Sequence, residues 1–377
     1  MDNIQYHTIA PQNNQDEYSE FSTLNFELLT GGRKLNPNSV RLDFELEVFK
    51  TGTTRLAAAD RVYLDNMVAG HSFIESIQVN SQGLAGNGGM LENIQEYPRW
   101  VNMLNRTTLD MDDLMDASHL CEGKVPIKDA TSAVLQQVNV RTNTGDAAAL
   151  LVDRSFSLKP MCCLNRMMGA YSFDRNGFLA VSFNLARNLS ALHGQGTAVD
   201  TSYKLKNVSL RYTTRPEDGV ANKVTMNSVV NVKATSNSSQ YNLDARVASK
   251  ACSGVVVSFL EQSKESYRGA NSYALEQYPL LDEINYRFND SVQYVTYAVK
   301  DRGDMVRKGI DAINTMNNHS AKPRNLKANT GYVVGLGFDT IVDLSKEKFS
   351  VELISSSNNL SLQPRNVYLY FLTIVAI

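Results

Sequence analysis

This chain has no Cys-x-x-Cys pair, no apolar run long enough to span a bilayer, and no surplus of either charge. Its four cysteines are Cys121, Cys162, Cys163 and Cys252. Two are adjacent, and a vicinal disulfide is strained. Four reduced thiols are expected, packed as small hydrophobes in a chain made in the cytoplasm. The first twenty residues, MDNIQYHTIAPQNNQDEYSE, lack the apolar stretch of a secretory signal. No segment reaches the ~18–20 apolar residues of a membrane helix. The nearest, Val367 to Ile377, is short and rich in β-branched and aromatic residues, and reads as a buried strand.

Positive charge is also missing where a nucleic-acid coat would need it. Lys and Arg total 37 against 39 Asp and Glu, a formal net charge of −2. Charge neutralisation of a phosphate backbone calls for a basic surplus or a basic arm. The longest mixed basic run is only Lys322-Pro323-Arg324. No direct, sequence-specific nucleic-acid binding is expected.

Catalytic constellations are absent from the pattern. The five histidines (His7, His71, His119, His193, His319) share no metal-binding spacing. Neither GxSxG nor HExxH occurs. Gly83 to Gly89 is glycine-rich but lacks a following Lys-Ser/Thr, and reads as a hairpin loop. Asp110, Asp112, Asp113 and Asp116 miss the EF-hand spacing and read as a solvated helix start. Nothing nominates a carboxylate pair for glycoside hydrolysis. No catalytic residue, cofactor site, cofactor or metal ligand is therefore assigned. Seventeen tyrosines stand against one tryptophan, Trp100. That balance differs from the flat platform of a carbohydrate module. It fits strand packing and protein–protein contact.

What is present is alternation. With 43% hydrophobic residues the chain can bury the cores of two or three ordinary domains. Val40, Leu42, Phe44, Leu46 and Val48 face one way, and Arg41, Asp43, Glu45 and Glu47 the other, as in an antiparallel sandwich. Strands are also expected over 21–30, 71–80, 155–164, 179–185 and 203–212, the last with a phase slip near Lys206-Asn207 that marks a bulge. In the second half they fall at 224–232, 255–259, 284–297 throughout, 332–344, 349–354 and 367–377. Residues 1–20 are polar and unpatterned, either a frayed tail or an arm ordered against a neighbour.

Three helices are expected. Met90, Ile94, Tyr97, Val101 and Leu104 recur at helical spacing, with Pro98 breaking or kinking the stripe. Thr107 to Asp110 looks like the start of another short helix. Val306, Ile310, Ile313 and Met316 form the second long stripe, with Asp304 near its start. The pattern repeats: Ser72–Leu104 parallels Asp282–Met316, and Ser155–Tyr212 parallels Gly331–Leu372. Thr213 to Gly219 is the most linker-like stretch, and the domain boundary is placed there. Short strands at regular spacing in two such units point to Greek-key or jelly-roll sandwiches.

This layout resembles a known family. The run Phe73-Ile-Glu-Ser-Ile-Gln-Val-Asn80, a helix with Tyr97, a long excursion, then Phe178-Leu-Ala-Val-Ser-Phe-Asn-Leu185 and Tyr203-Lys-Leu-Lys-Asn-Val-Ser-Leu210 are similar to the first jelly roll of the double-jelly-roll major capsid proteins. These build tailless icosahedral viruses of the adenovirus and polinton-like lineage. The resemblance implies an all-β fold with a few short helices: two tandem eight-stranded jelly-roll β-sandwiches side by side. Residues 1–20 would be an N-terminal arm, 21–214 the first jelly roll with a long loop at about 105–150, and 215–377 the second. It implies a structural protein and not an enzyme. Homotrimers of near-hexagonal outline would tile a virus shell, partnered by neighbouring capsomers and by minor or penton proteins. The arm would run along the inner surface, where many relatives enclose a lipid membrane. The chain would be made in the host cytoplasm and reside in the virion. The competing reading is a tandem jelly-roll glycan-active hydrolase or lectin. Such proteins commonly carry a signal peptide, disulfides or a calcium site.

Overall fold

The alternation of Arg41–Lys50 becomes a strand whose Leu42, Phe44, Leu46 and Val48 are buried while the charged positions between them face outward. The computed structural model describes residues 3–50, 54–55, 62–82, 89–109, 121–124, 137–139, 155–194, 201–220, 223–236, 238–265, 267, 269–273, 281–289, 292–295, 297–316, 333–355 and 364–377. Arg41–Lys50 lies between Ser155–Leu158 and Thr201–Pro216 in one sheet, and Gln5–Ile9 pairs on Thr201–Pro216. The facing sheet runs Gly89–Ile94, Ile74–Gln82, Phe178–Leu185, Thr23–Leu28. Aromatic rings fill the space between them. Phe73 lies 6.2 Å from Phe44 and 4.7 Å from Tyr203, centroid to centroid.

The second half repeats this arrangement. Thr225–Ser236, Cys252–Glu261, Val334–Val342 and Arg365–Ala376 form one sheet. Gln240–Ala245, Glu283–Phe288, Val292–Gln293 and Phe349–Ile354 form the other. From Thr225 onward, apart from the short Val292–Gln293 that follows Glu283–Phe288, successive strands alternate between the two sheets, which is a jelly-roll winding. Phe349 meets Phe371 across the gap at 5.9 Å, and the Tyr286 hydroxyl donates to the Gly335 carbonyl at 3.0 Å. The fold is the expected pair of jelly rolls. One sheet of each joins the other into a single nine-stranded sheet, through a parallel pairing of Val230 with Asn93.

Several local expectations change. Residues 5–9 form a strand on the chain's own sheet, Gln5 opposite Thr214 and Ile9 opposite Leu210. The polar alternation of an edge strand hid it. Gly89–Ile94 is a strand paired with Ile74–Gln82, so Met90 and Ile94 are not helical. Sheet pairing overrode a spacing of four that fits either period. The helix begins at Tyr97 and runs to Thr108. Pro98 falls in its first turn, where a missing N–H costs nothing, and no kink results. Thr107 and Thr108 end that helix, their hydroxyls donating back to Met103 and Leu104 carbonyls at 2.7 and 2.6 Å. Residues 284–297 are not one strand: Glu283–Phe288 turns at Asn289 (φ 51°) into Val292–Gln293. The bulge is where the phase slip placed it. Register shifts between Lys206 and Ser209, with Asn207 at φ 51°. The acidic run 110–116, the excursion around 125–136 and 140–154, Gly83 to Gly88 and Lys322 to Arg324 lie outside the described residues.

The helix Arg302–Asn314 starts on Asp301, whose carboxylate accepts from the Asp304 N–H at 3.0 Å. It rests on the outer face of Cys252–Glu261 and Val334–Val342, where Gly254, Gly335 and Gly337 let it approach. A Cβ on Gly309 would come 2.5 Å from the Val333 carbonyl oxygen. Gly309→Ala is therefore expected to cost about 2–3 kcal/mol of stability. Gly89→Ala, whose methyl would meet nothing within 4 Å, should shift it by less than about 0.5 kcal/mol. Denaturant unfolding of both variants measures the contrast.

Candidate functional site

The histidines come first, as the side chains that titrate nearest neutral pH. His71 Nδ1 lies 2.8 Å from the Tyr97 hydroxyl, and its Nε2 lies 3.6 Å from Glu122, which pairs with Lys124 at 2.5 Å. His193 is buried beside Tyr63, and burial pushes it down to about 4, so it stays neutral. His7 stacks on Tyr212 at 4.7 Å. His119 and His319 lie outside the described residues. Burial holds the Cys162 and Cys252 thiols up at about 12, which makes them poor nucleophiles. Cys121 is exposed and all four thiols are free. Among the described residues no cluster of three or more His, Cys, Asp or Glu is placed to hold a metal. No helix among them is long and apolar enough to cross a membrane.

The densest chemistry lies at the seam between the sandwiches. Glu92 is fully buried on the strand that meets Val230. Its carboxylate accepts from the Val229 N–H at 2.9 Å and from the Cys163 N–H, and pairs with the Arg166 guanidinium. Burial pushes Glu92 up, against the pull of Arg166 and the two backbone donors. Arg166 also donates from Nε to the Asn227 carbonyl at 3.2 Å, and its guanidinium lies 5.6 Å over the Trp100 ring. Trp100 stacks on Tyr370 at 5.5 Å, and Arg99 lies 4.4 Å over Tyr368. The helix Tyr97–Thr108 is thus the wedge between the halves.

Further along the same helix, polar groups tie the halves again. Asn271 Nδ2 donates to Asp65 Oδ2 at 2.7 Å, and Asn102 Nδ2 to the Tyr273 carbonyl at 2.6 Å. Arg106 donates to Asn102 Oδ1 at 2.6 Å and to Asn66 Oδ1 at 3.0 Å. At the seam's rim, Lys233 bridges Glu96 (3.1 Å) and Glu265. Glu75 lies in the same field. Burial first, then the neighbouring Glu96, push its carboxyl up to about 7, with Glu265 adding and Arg187 and Lys233 opposing.

The outer faces of the first sandwich differ sharply. On one, charges pair across strands: Lys206 meets Glu17 at 2.9 Å and Glu47 at 3.0 Å, and Arg211 meets Asp43 at 2.9 Å. On the other, hydroxyls and amides take their place. Thr23 donates to Asn184 at 2.7 Å, Asn184 to Ser76 at 2.8 Å, and Ser182 to Asn25 at 2.7 Å. On the second sandwich an open groove of about 480 Å³ runs beside Arg302–Asn314, lined by Tyr294, Tyr297, Arg307, Lys308 and Phe338 among others.

The seam was not foreseen from the sequence. Its signal was a helix whose apolar stripe is interleaved with Arg99, Asn102, Asn105 and Arg106, all of them buried.

Two jelly rolls sharing one sheet and wedged by a helix define a double-jelly-roll fold. No family model matches the chain, and no curated protein matches it in sequence. Solved structures do match in fold. The Faustovirus major capsid protein is similar at a TM-score of 0.67 and 9% identity, over 99% of this chain and 90% of that one. The Sputnik virophage structure gives 0.57 and 10%, over 99% and 85%. The mavirus major capsid protein gives 0.54 and 9%, over 99% and 90%.

Arg166→Met strands a buried carboxylate and should cost about 3–5 kcal/mol. Adding Glu92→Gln should recover part of that loss, which a double-mutant cycle by denaturant unfolding measures. Glu75 gives a pH signature. Its folded value of about 7 lies above the ordinary 4.5, so the folded state holds the proton more tightly. That stability is complete below about pH 4.5 and is lost as pH rises through about 7, on the order of 1–3 kcal/mol. Glu75→Gln should flatten the fall in melting temperature between pH 5 and 8.

Proposed function

We propose that this chain is a major capsid protein. It is a structural protein, not an enzyme, that forms homotrimeric, near-hexagonal capsomers tiling an icosahedral virus shell. The observation that carries this reading is the fold likeness. It spans 99% of the chain and reaches three capsid structures through nearly their whole length. The seam supports it. A tile must be stiff, and Glu92, Trp100 and Asp65 lock the two sandwiches into one block.

In this reading residues 21–214 and 215–377 are the two structural units, and residues 1–20 line the edge of the first. The chain is made in the host cytoplasm and works in the virion. Its partners are further copies of itself, then neighbouring capsomers and minor or penton proteins, with an internal lipid membrane against the N-terminal side. The near-neutral charge supports a shell that leaves the genome to other proteins.

Light scattering of the purified 41.8 kDa chain should give about 125 kDa or larger, three copies or more. Electron micrographs should show near-hexagonal particles. A stable monomer that binds or cleaves glycans would overturn the proposal.

A further inference from the structure

We propose that the charge-poor outer face of the first sandwich is a contact surface for the same face of a second copy of this chain, between assembled capsomers and not within one. The occupant rests on the capsid reading above, while the surface itself rests on the following observations.

Outward positions on a water-facing strand usually carry Lys, Glu or Arg. The opposite face of this same sandwich obeys that rule, as Asp43, Glu47, Lys206 and Arg211 show. On the face built by Thr23–Leu28, Phe178–Leu185, Ile74–Gln82 and Gly89–Ile94, the row across the strands is Asn25, Ser182, Gln78, Asn93. Its acids are Glu27, engaged by the Gln12 amide at 2.9 Å, and Glu75, half-buried at the seam end of Ile74–Gln82 beside Arg187 and Lys233. The alternation then ends on large apolar side chains left open. Leu29 is 56% exposed, and Met90, opposite Asn80, is 57% exposed. Charge depletion with exposed apolar anchors marks a surface that is covered in its working state.

The chemistry also selects what covers it. A phosphate backbone or an anionic bilayer needs cations, and this face offers none. A charged protein surface would lose its hydration to unpaired amides. Amide and hydroxyl groups both donate and accept, so such a face is its own complement across a two-fold axis.

Size decides the level of assembly. Four strands about 4.8 Å apart and about eight residues of 3.4 Å rise give roughly 500 Å² per copy. The pair would bury roughly 1,000 Å², below the ~1,200 Å² at which stable complexes begin. One such contact is too weak to hold a free dimer. Repeated around a multivalent capsomer, it suffices for a lattice.

The test uses the full chain with Asn25→Lys and Gln78→Lys together, which sets like charges against each other across the two-fold. The expected result is an unchanged trimer mass and melting temperature. The concentration at which trimers associate further, read by light scattering and micrographs, should rise at least about tenfold. Mixing with an Asn25→Asp, Gln78→Glu chain should restore association. Wild-type association in the lysine variant, or no rescue on mixing, overturns this proposal and leaves the capsid reading standing. A wild-type chain that stays monomeric overturns both.

Discussion

One buried carboxylate sets the geometry on which this protein depends. Glu92 sits where the nine-stranded sheet passes from one sandwich to the other, and takes hydrogen bonds from Val229 of the second half and Cys163 of the first. A buried charge is costly unless fully paired. Its partners therefore have one acceptable arrangement, and the two sandwiches cannot slide or rock without stranding it. Leu, Val and Phe contacts alone would tolerate small shifts between the sheets. The pair with Arg166 adds direction where the apolar contact supplies only adhesion.

Around that point the wedge helix does two jobs with one sequence. Trp100 and Val101 give it an apolar body, and both are fully buried. Arg99, Asn102 and Arg106 reach past that body to the backbone and to Asp65, and so satisfy groups at the seam that no strand pairing reaches. The result is one rigid block built from two small units. Each half has its own core, but the first core extends under the helix to Tyr368, Tyr370 and Leu372 of the second half.

The legible parts of the fold were those with a wet face and a dry one. Arg41–Lys50 and Phe178–Leu185 alternate because water and core lie on opposite sides, and that periodicity is written in the residues themselves. Gln5–Ile9 was not legible, because an edge strand of Gln, His and Thr buries little. Gly89–Ile94 misled because Met90 and Ile94 stand four apart, a spacing that suits helix and strand equally. The seam was hidden for a different reason. Asp65 and Asn271 are 206 positions apart, and a buried polar contact between distant segments leaves no period to read.

The tyrosines unite these strands of argument. A surplus of Tyr over Trp fits either interface or strand packing, and in the structure most of the buried ones serve the second role in a specific way. Tyr203 donates to the Ala186 carbonyl at 2.5 Å, Tyr171 to Asn176 at 2.8 Å, Tyr286 to Gly335 at 3.0 Å and Tyr370 to Glu96 at 3.1 Å. Each ring is buried while its hydroxyl donates to a backbone carbonyl. Phenylalanine would pack as well but lose each of these hydrogen bonds, at a net cost of about 0.5–1.5 kcal/mol apiece. In the proposed capsid role, self-assembly would fall to surfaces with a different chemistry, amide and hydroxyl rows rather than aromatic anchors. A shell built that way would gain from the division: the bonds within each tile would be buried and strong, while those joining tiles would stay weak enough to be corrected as the lattice closes.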